Sequence, residues 1–279
     1  MKIHHLNCAT QYLIGGCLVS GRGSPFRRVP IVTHCLLVET DAGLVLVDTG
    51  LGLQDIENPQ RLGRSFRFLA QPQLNPEETA LRQIQRLGYR PDDVRHVILT
   101  HLDLDHAGGL SDFPQAEVHL LEAEYQAGTQ GKTRIDRYRY HPEQWQHQPR
   151  WVRYRLADGE SWFGFRGVRQ LQNLPPEILL VPLLGHTYGH AGIAIRTSTG
   201  WLFHAGDAYY VRDEIDSHHP RCPLGLQLVE NLGAADNSAR RHNQCRLREL
   251  NRDCGETVTV FCSHDRGEFH RLRDRSTDR

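Results

Sequence analysis

The stretch LTHLDLDHAGGL, residues 99–110, decides the fold of this chain. It places His101, Asp103, Asp105 and His106 within six positions, directly after an apolar run that predicts a buried β-strand. Imidazole and carboxylate groups are common ligands of divalent metals, and a pair of glycines follows them here. The pattern therefore predicts a metal site at the point where a strand ends.

Three other segments repeat this arrangement, in which a side chain that can bind a metal follows an apolar strand. LLVPLLGHTYGHAG supplies His186, WLFHAGDAYY supplies Asp207 and VTVFCSHD supplies His264. A single histidine after a strand is more often structural than functional. Since strand ends on a rigid scaffold hold side chains at fixed separations, four such ends together predict one shared metal centre.

The composition is that of a globular protein without a strong electrostatic preference. The 279 residues are 39% hydrophobic, and 33 Lys+Arg balance 33 Asp+Glu, so we expect neither nucleic acid nor an anionic membrane as a partner. No apolar run approaches the ~20 residues that a membrane helix needs. The first residues lack the apolar core of a signal peptide, and the seven cysteines form no CxxC pair, so we expect a reduced, cytoplasmic protein.

Local patterns predict strands and helices in two similar halves. Residues 32–50 contain two β-rich runs separated by TDAG, which predicts a hairpin. Residues 75–89 predict a helix, with Asn75 as the N-cap, Pro76 at the first helical position and Glu78 completing a capping box. Two halves that each combine strands with helices favour a layered α/β sandwich. The second half has four β-rich runs and one helix, at 177–185, 191–197, 200–206, 257–264 and 238–255.

The segment between the halves is dense in arginine and aromatic residues. We interpret about 122–160 as an insertion in a single domain that spans residues 1–279, because no low-complexity linker divides the chain. The insertion could form a lid, a homodimer contact or a nucleic-acid patch, or cover the surface with arginine stems over exposed rings. Aromatic platforms for nucleic acid accompany a wider basic surface, which the zero net charge argues against. A lid or a surface insertion is therefore favoured, and a homodimer is left open.

The four ligand-bearing segments together resemble a known family. THLDLDHAGG, GHTYGH, GDAYY and SHD, with VDTG upstream, are similar to the five sequence motifs of the metallo-β-lactamase superfamily, and they are distributed over most of the chain. Within that superfamily the chain is most similar to the N-acyl homoserine lactonases. The narrower resemblance is carried by the 21 residues from His186 to Asp207, by Tyr210 three residues after Asp207, and by the pair His264–Asp265.

The resemblance implies a fold and a ligand set. The fold is an αββα four-layer sandwich, in which two mixed β-sheets are flanked by helices and a dinuclear metal site lies along their shared edge. Asp48 in VDTG would support the ligands from behind, although Asp-Thr-Gly is also a common structural turn, and His190 would support the loop of His186. One metal would be held by His101, Asp103 and His186, the other by Asp105, His106 and His264, and Asp207 would bridge the two.

The function that the resemblance implies is metal-dependent hydrolysis of a lactone or a related acyl ester, a small-molecule substrate, by a hydroxide that bridges the metals. Tyr210 would donate a hydrogen bond to the oxygen that becomes anionic, unless it merely packs, and Asp105 would pass a proton to the leaving alkoxide. Thioester and phosphodiester hydrolysis are the alternatives within enzymes. A metal-poor binding or regulatory protein of the same fold is the alternative outside them.

Asp103 departs from the family pattern, because the motif HxHxDH is HxDxDH here. The departure indicates either loss of the first metal or substitution of one ligand type by another. Aspartate oxygens lie two bonds beyond Cβ, as histidine Nδ1 does, and carboxylates are good ligands of zinc. Since the six other ligand positions are intact, we favour a working site with two divalent ions. Zinc is the expected metal, and the extra carboxylate makes manganese or iron more competitive.

Overall fold

Two face-to-face β-sheets form the centre of the protein. The computed structural model describes residues 1–21, 23–131, 133–156 and 159–277. The strands in this part of the chain are β1 (Lys2–Asn7), β2 (Gln11–Leu13), β3 (Val29–Ile31), β4 (His34–Thr40), β5 (Gly43–Val47), β6 (Val94–Ile98), β7 (Glu117–Leu121), β8 (Arg150–Tyr154), β9 (Glu160–Trp162), β10 (Phe165–Gln170), β11 (Ile178–Pro182), β12 (Ala191–Thr197), β13 (Gly200–His204) and β14 (Val258–Phe261).

The α-helices of the same ranges lie outside the sheets or connect their strands. They are α1 (Cys17–Ser20), α2 (Leu53–Glu57), α3 (Arg64–Leu69), α4 (Ala80–Arg86), α5 (Leu104–Ala107), α6 (Glu122–Gln130), α7 (Arg134–Arg139), α8 (Leu224–Gly233), α9 (Asn237–Cys254) and α10 (Arg266–Thr277). No helix in the part of the chain that the structure describes combines the length and the apolar character that crossing a membrane requires.

Both sheets are mixed. The first has the strand order β1-β4-β5-β6-β7-β8, in which the pairs from β5 to β8 are parallel and the others antiparallel. The second has the order β14-β13-β12-β11-β10-β9 and is antiparallel except for the pair β13 and β14. Strands β2 and β3 pair separately. Each sheet therefore combines local hairpins with longer crossovers.

Successive residues of each strand face opposite sides of its sheet, which divides the hydrophobic core into layers. In β4, Leu36 faces the other sheet and packs in a cluster with Ile193 of β12, whereas Leu37 faces outward toward Ile84 of α4. In the second sheet, residues such as Phe203 face outward toward α9. Burying large apolar side chains in each layer contributes about 1.5–3 kcal/mol apiece. The predicted αββα four-layer sandwich is confirmed.

The hairpin predicted within residues 32–50 is confirmed, while the predicted start of the helix at 75–89 is wrong. Pro76–Glu78 forms a separate 3-10 turn, and α4 begins at Ala80 with Thr79 as its N-cap, whose hydroxyl accepts a hydrogen bond from the backbone N–H of Arg82 at 3.3 Å. The Glu78 carboxylate accepts from the backbone N–H of Thr10 at 2.7 Å instead of completing a capping box. A tertiary contact thus outcompetes the local cap that the sequence predicted.

The arginine- and aromatic-rich segment 122–160 takes part in both a sheet and a core. Its last strand, β8, pairs in parallel with β7 at the edge of the first sheet. Tyr140 and Trp145 are buried in the outer core of that sheet. These contacts show how the segment is attached to the rest of the chain. Its description as an insertion in a single domain stays a prediction.

Candidate metal centre

Four strand ends converge on one edge of the sandwich. His101 follows β6, His186 follows β11, Asp207 follows β13 and His264 follows β14. All four side chains are nearly inaccessible to solvent. The ends of strands from both sheets are thus the structural source of the cluster, as the sequence predicted.

The first three predicted ligands lie within reach of one ion. Asp103 Oδ2 is 3.0 Å from His186 Nε2 and 3.5 Å from His101 Nε2. The candidate ligand atoms of these three residues all lie within 4.8 Å of one another. Asp103 therefore directs one carboxylate oxygen at the two imidazoles, so the three side chains could hold one ion.

The second group lies beside the first. Asp105, His106 and His264 also bring their ligand atoms within 4.8 Å of one another, and His264 Nε2 is 3.8 Å from Asp105 Oδ2. Asp207 lies between the groups: its Oδ2 is 3.0 Å from His264 Nε2 and 3.8 Å from His186 Nε2, and its Oδ1 is 3.3 Å from His106 Nε2. The seven predicted residues thus form one continuous cluster.

The cluster contains buried polar atoms that nothing in the described residues satisfies by hydrogen bonding. Leaving a polar atom buried and unpaired costs free energy, so such atoms are rare unless they have another partner. A divalent cation satisfies such atoms directly. The donor set of imidazoles and carboxylates therefore fits a metal centre. The unpartnered atoms of the cluster are His101 Nε2, His106 Nε2 and Asp207 Oδ1.

Hydrogen bonds from behind direct these ring nitrogens inward. Asp48 Oδ2 lies 2.9 Å from His106 Nδ1, and Asp48 also accepts hydrogen bonds from the backbone N–H and the hydroxyl of Thr100, both at 2.8 Å. Asp48 has a φ of 54°, a left-handed conformation that aspartate tolerates better than most residues. His264 Nδ1 donates to the carbonyl of Val32 at 2.7 Å. Each contact leaves Nε2 of the ring facing the cluster.

His190 connects two of the segments that carry candidate ligands. Its Nδ1 donates to the carbonyl of Leu183 at 2.9 Å, and its Nε2 accepts from the backbone N–H of Asp207 at 2.9 Å. A Cβ at Gly206 would lie 2.4 Å from the same ring, so glycine is required for this close approach. His190 therefore ties the segment before His186 to the segment that carries Asp207.

The electrostatics of the cluster keep its central carboxylate ionised. Burial by itself would raise the pKa of Asp207, but the His264 and His106 rings hold it well below its usual range. Burial would lower the pKa of His106, whereas Asp207 and the other nearby carboxylates raise it to about 10. A metal that binds here must therefore displace a proton from His106.

The two tyrosines of AYY have different environments. Tyr209 is fully buried and its hydroxyl donates to Glu268 at 2.9 Å. The ring of Tyr210 stacks on His264 with centroids 5.2 Å apart and lies edge-on to His186 at 6.2 Å. Burial raises the pKa of Tyr210 well above its usual range, so its hydroxyl stays protonated. Tyr209 packs, while Tyr210 lies against the candidate ligands.

Sequence reasoning missed two polar side chains that contact the predicted ligand Asp103 or Asp105. Gln11 donates to Asp105 Oδ2 at 2.6 Å. Arg139 Nε lies 2.9 Å from Asp103 Oδ1, and Arg139 Nη1 donates to the backbone carbonyl of His186 at 2.7 Å. Gln11 lies in a short hairpin strand without a recognisable pattern. The only sign of Arg139 was the arginine-rich composition of its segment.

Glu124 is a third residue that the sequence did not indicate. Its carboxylate is fully buried and accepts hydrogen bonds from the backbone N–H of Leu102 at 2.9 Å, the hydroxyl of Thr187 at 2.6 Å and the backbone N–H of Gly189 at 3.0 Å. One side chain therefore joins the loop of His101 to the loop of His186.

Comparison with known proteins agrees with this geometry. The family model of the metallo-beta-lactamase superfamily matches residues 28–244. A probable metallo-hydrolase of Mycobacterium tuberculosis is 40% identical over 274 residues, which cover 98% of this chain and 83% of that protein. An N-acyl homoserine lactonase of a Bacillus species is 26% identical over 211 residues, which cover 74% of this chain and 75% of that protein.

Solved structures share the fold. An N-acyl homoserine lactone hydrolase with N-hexanoyl-L-homoserine, the product, bound at its catalytic metal centre has a TM-score of 0.72 at 22% identity, over 97% of this chain and 95% of that one. A dizinc quorum-quenching lactonase has a TM-score of 0.61 at 17% identity, over 95% and 87%. The chain belongs to the metallo-beta-lactamase superfamily. It is an enzyme, a metallo-hydrolase of that superfamily.

Proposed function

We propose that this metallo-hydrolase holds two divalent ions in the cluster, with zinc as the expected metal and manganese or iron as alternatives. The observation that carries the proposal is the set of buried imidazole and carboxylate atoms that face one another without hydrogen-bond partners among the described residues. When bound, such ions supply a water of lowered pKa and a Lewis acid. One ion would be held by His101, Asp103 and His186, the other by Asp105, His106 and His264, and Asp207 would contact both.

The proposed substrate is a lactone or a related acyl ester. Similarity to an N-acyl homoserine lactonase supports this choice. The environment of Tyr210 supports it as well. Tyr210 lies against two candidate ligands, His186 and His264, and keeps its proton. Its hydroxyl would donate a hydrogen bond to the carbonyl oxygen of the substrate, which becomes anionic during acyl transfer.

Asp105 is the proposed proton carrier for the leaving alkoxide. Its Oδ2 accepts a hydrogen bond from Gln11 and lies 3.8 Å from His264 Nε2. The bond from Gln11 fixes the carboxylate in one orientation, because the side chain cannot rotate without losing it. Asp105 would therefore combine metal binding with proton transfer, and Gln11 would hold it ready for both.

The test is hydrolysis by the purified protein after loading with Zn²⁺, Mn²⁺ or Fe²⁺, with metal content measured on the same preparation. We expect ring opening of N-acyl homoserine lactones or cleavage of aryl esters, and loss of at least a hundredfold in Asp207→Ala, which lacks the carboxylate shared by the two groups. No lactone or ester turnover above the Asp207→Ala control would contradict the proposal. Faster turnover of a thioester or of bis-(nitrophenyl) phosphate would replace the substrate class and keep the metal centre.

A further inference from the structure

We propose that Arg139 is a positioning residue, which holds Asp103 so that a single carboxylate oxygen takes the place of the histidine nitrogen in the HxHxDH motif. Because the proposed function supplies the metal-ligand role of Asp103, this assignment rests on it. Arg139 lies at the end of α7, in the arginine-rich segment, and follows Asp103 by 36 positions in the chain.

The guanidinium contacts two parts of the candidate site at once. Arg139 Nε lies 2.9 Å from Asp103 Oδ1, and Nη1 donates to the backbone carbonyl of His186 at 2.7 Å. The side chains of Arg139 and Asp103 are only 12% and 18% exposed. The hydrogen bond to the His186 carbonyl orients the planar guanidinium, and the ion pair places its positive charge beside Asp103 Oδ1, so one side chain connects both ligand loops.

The contact distinguishes the two oxygens of Asp103. Oδ1 is the oxygen beside Arg139, while Oδ2 is the one that lies 3.0 Å from His186 Nε2 and 3.5 Å from His101 Nε2. An aspartate without such a partner can rotate about its last torsion and present either oxygen, or both, to a cation. With Oδ1 held by the cation of Arg139, Oδ2 alone faces the two imidazoles, as one nitrogen of a histidine would.

The same pair explains how the site tolerates an additional carboxylate. Aspartate in place of histidine adds one negative charge to a buried ligand set, and Arg139 adds one positive charge beside it. The formal charge of the site thereby returns to that of a site with histidine at position 103. Arg139 would in turn be a buried cation without this carboxylate partner if position 103 were histidine. Asp103 and Arg139 therefore form one unit.

The experiment measures metal binding rather than turnover. Wild type, Arg139→Gln and Arg139→Lys are dialysed against Zn²⁺ or Mn²⁺ buffered by a weak chelator, and the bound metal per chain is measured by mass spectrometry. We expect two ions in wild type, and in Arg139→Gln one ion retained and the other bound 10–100-fold more weakly, because Asp103 loses its orientation. Arg139→Lys should behave like Arg139→Gln, since an ammonium cannot contact both groups in a fixed plane. Arg137→Gln, an exposed residue on the same helix, is the matched control.

A second background separates positioning from general damage to the fold. In Asp103→His, the added substitution Arg139→Gln should not weaken metal binding, because an imidazole needs no arginine to select its ligand atom. Equal loss in both backgrounds, unchanged or tighter binding in Arg139→Gln, or wild-type binding in Arg139→Lys would overturn the assignment while leaving the metal centre in place. Wild-type protein that binds no metal would instead overturn the proposed function itself.

Discussion

At the scale of single residues, the side chains behind the candidate ligands set the orientation of those ligands. Asp48 is an example: its oxygens accept from the backbone N–H and the hydroxyl of Thr100 and lie beside His106 Nδ1. Because a carboxylate only accepts hydrogen bonds, His106 carries a proton on Nδ1, and Nε2 is the nitrogen that a metal would bind after displacing the second proton. The tautomer of one histidine is thus decided by a residue 58 positions away.

Asp48→Asn tests this control of the tautomer. Asparagine also tolerates a left-handed backbone, so the turn should be kept, but its amide N–H would face His106 and favour the proton on Nε2. We expect metal affinity to fall about 10–100-fold with little change in the free energy of unfolding of the metal-free protein. Equilibrium dialysis with Zn²⁺ measures the first quantity and denaturant titration the second. Asp41→Asn, in the exposed hairpin turn, should change neither; full metal affinity in Asp48→Asn would refute the role of Asp48.

At the scale of secondary-structure elements, local patterns located strands and helices well but misplaced one helix start. The pattern at Asn75, Pro76 and Glu78 is a good capping signature, yet Glu78 bonds to Thr10 and the helix begins after Thr79. A capping side chain can form either a local hydrogen bond or a tertiary one of similar strength. The sequence shows only the local bond.

Thr79→Ala and Asn75→Ala compare the observed cap with the predicted one. Thr79 is buried and caps α4, so its loss should lower the free energy of unfolding by about 1 kcal/mol. Asn75 accepts a hydrogen bond only from an exposed 3-10 turn, so Asn75→Ala should cost less. Urea titration of the two metal-free variants against wild type gives both values. A larger loss in Asn75→Ala than in Thr79→Ala would mean that the sequence-predicted cap is the one that stabilises the helix.

At the scale of the whole molecule, the sandwich buries histidines away from the candidate metal ligands. His119 on β7 has a neighbour at each ring nitrogen. Its Nε2 lies 3.0 Å from His96 Nδ1, and its Nδ1 lies 2.9 Å from the hydroxyl of Tyr154. Burial, reinforced by His96, lowers the pKa of His119 to about 3, and burial with neighbouring histidines lowers that of His5 to about 4. Both rings are therefore neutral in the folded protein and take up protons on unfolding in acid.

The direction in which stability changes with pH follows from these lowered histidine pKa values. The stability that neutral His119 contributes is fully present above its ordinary pKa of 6.5 and is lost as the pH falls toward 3. Below pH 6.5 we expect the free energy of unfolding of the metal-free protein to fall by up to about 1.4 kcal/mol per pH unit for each such histidine. His119→Gln should lower this slope, while His219→Gln, at an exposed position, should not. Denaturant titrations between pH 7 and 4.5 measure it, and an unchanged slope in His119→Gln would contradict the prediction.

The sequence by itself predicted the layered fold and the residues of the candidate metal centre, which lie together in one cluster. Strand periodicity sorts side chains onto two faces, and four strand ends carrying His101, His186, Asp207 and His264 can meet only where the two sheets share an edge. Hydrophobic alternation and short motifs lie within continuous segments of the chain. They can therefore be recognised in the sequence without knowledge of tertiary contacts.

Tertiary structure alone decided what surrounds those ligands. Arg139 beside Asp103, Gln11 beside Asp105 and Glu124 between two ligand loops all come from segments with no motif of their own. Their contacts depend on how α6, α7 and the β2–β3 hairpin pack against the sheet edge. A sequence reports which groups can bind a metal, but the charge and orientation of a buried carboxylate are set by neighbours that are distant in the chain and close in space.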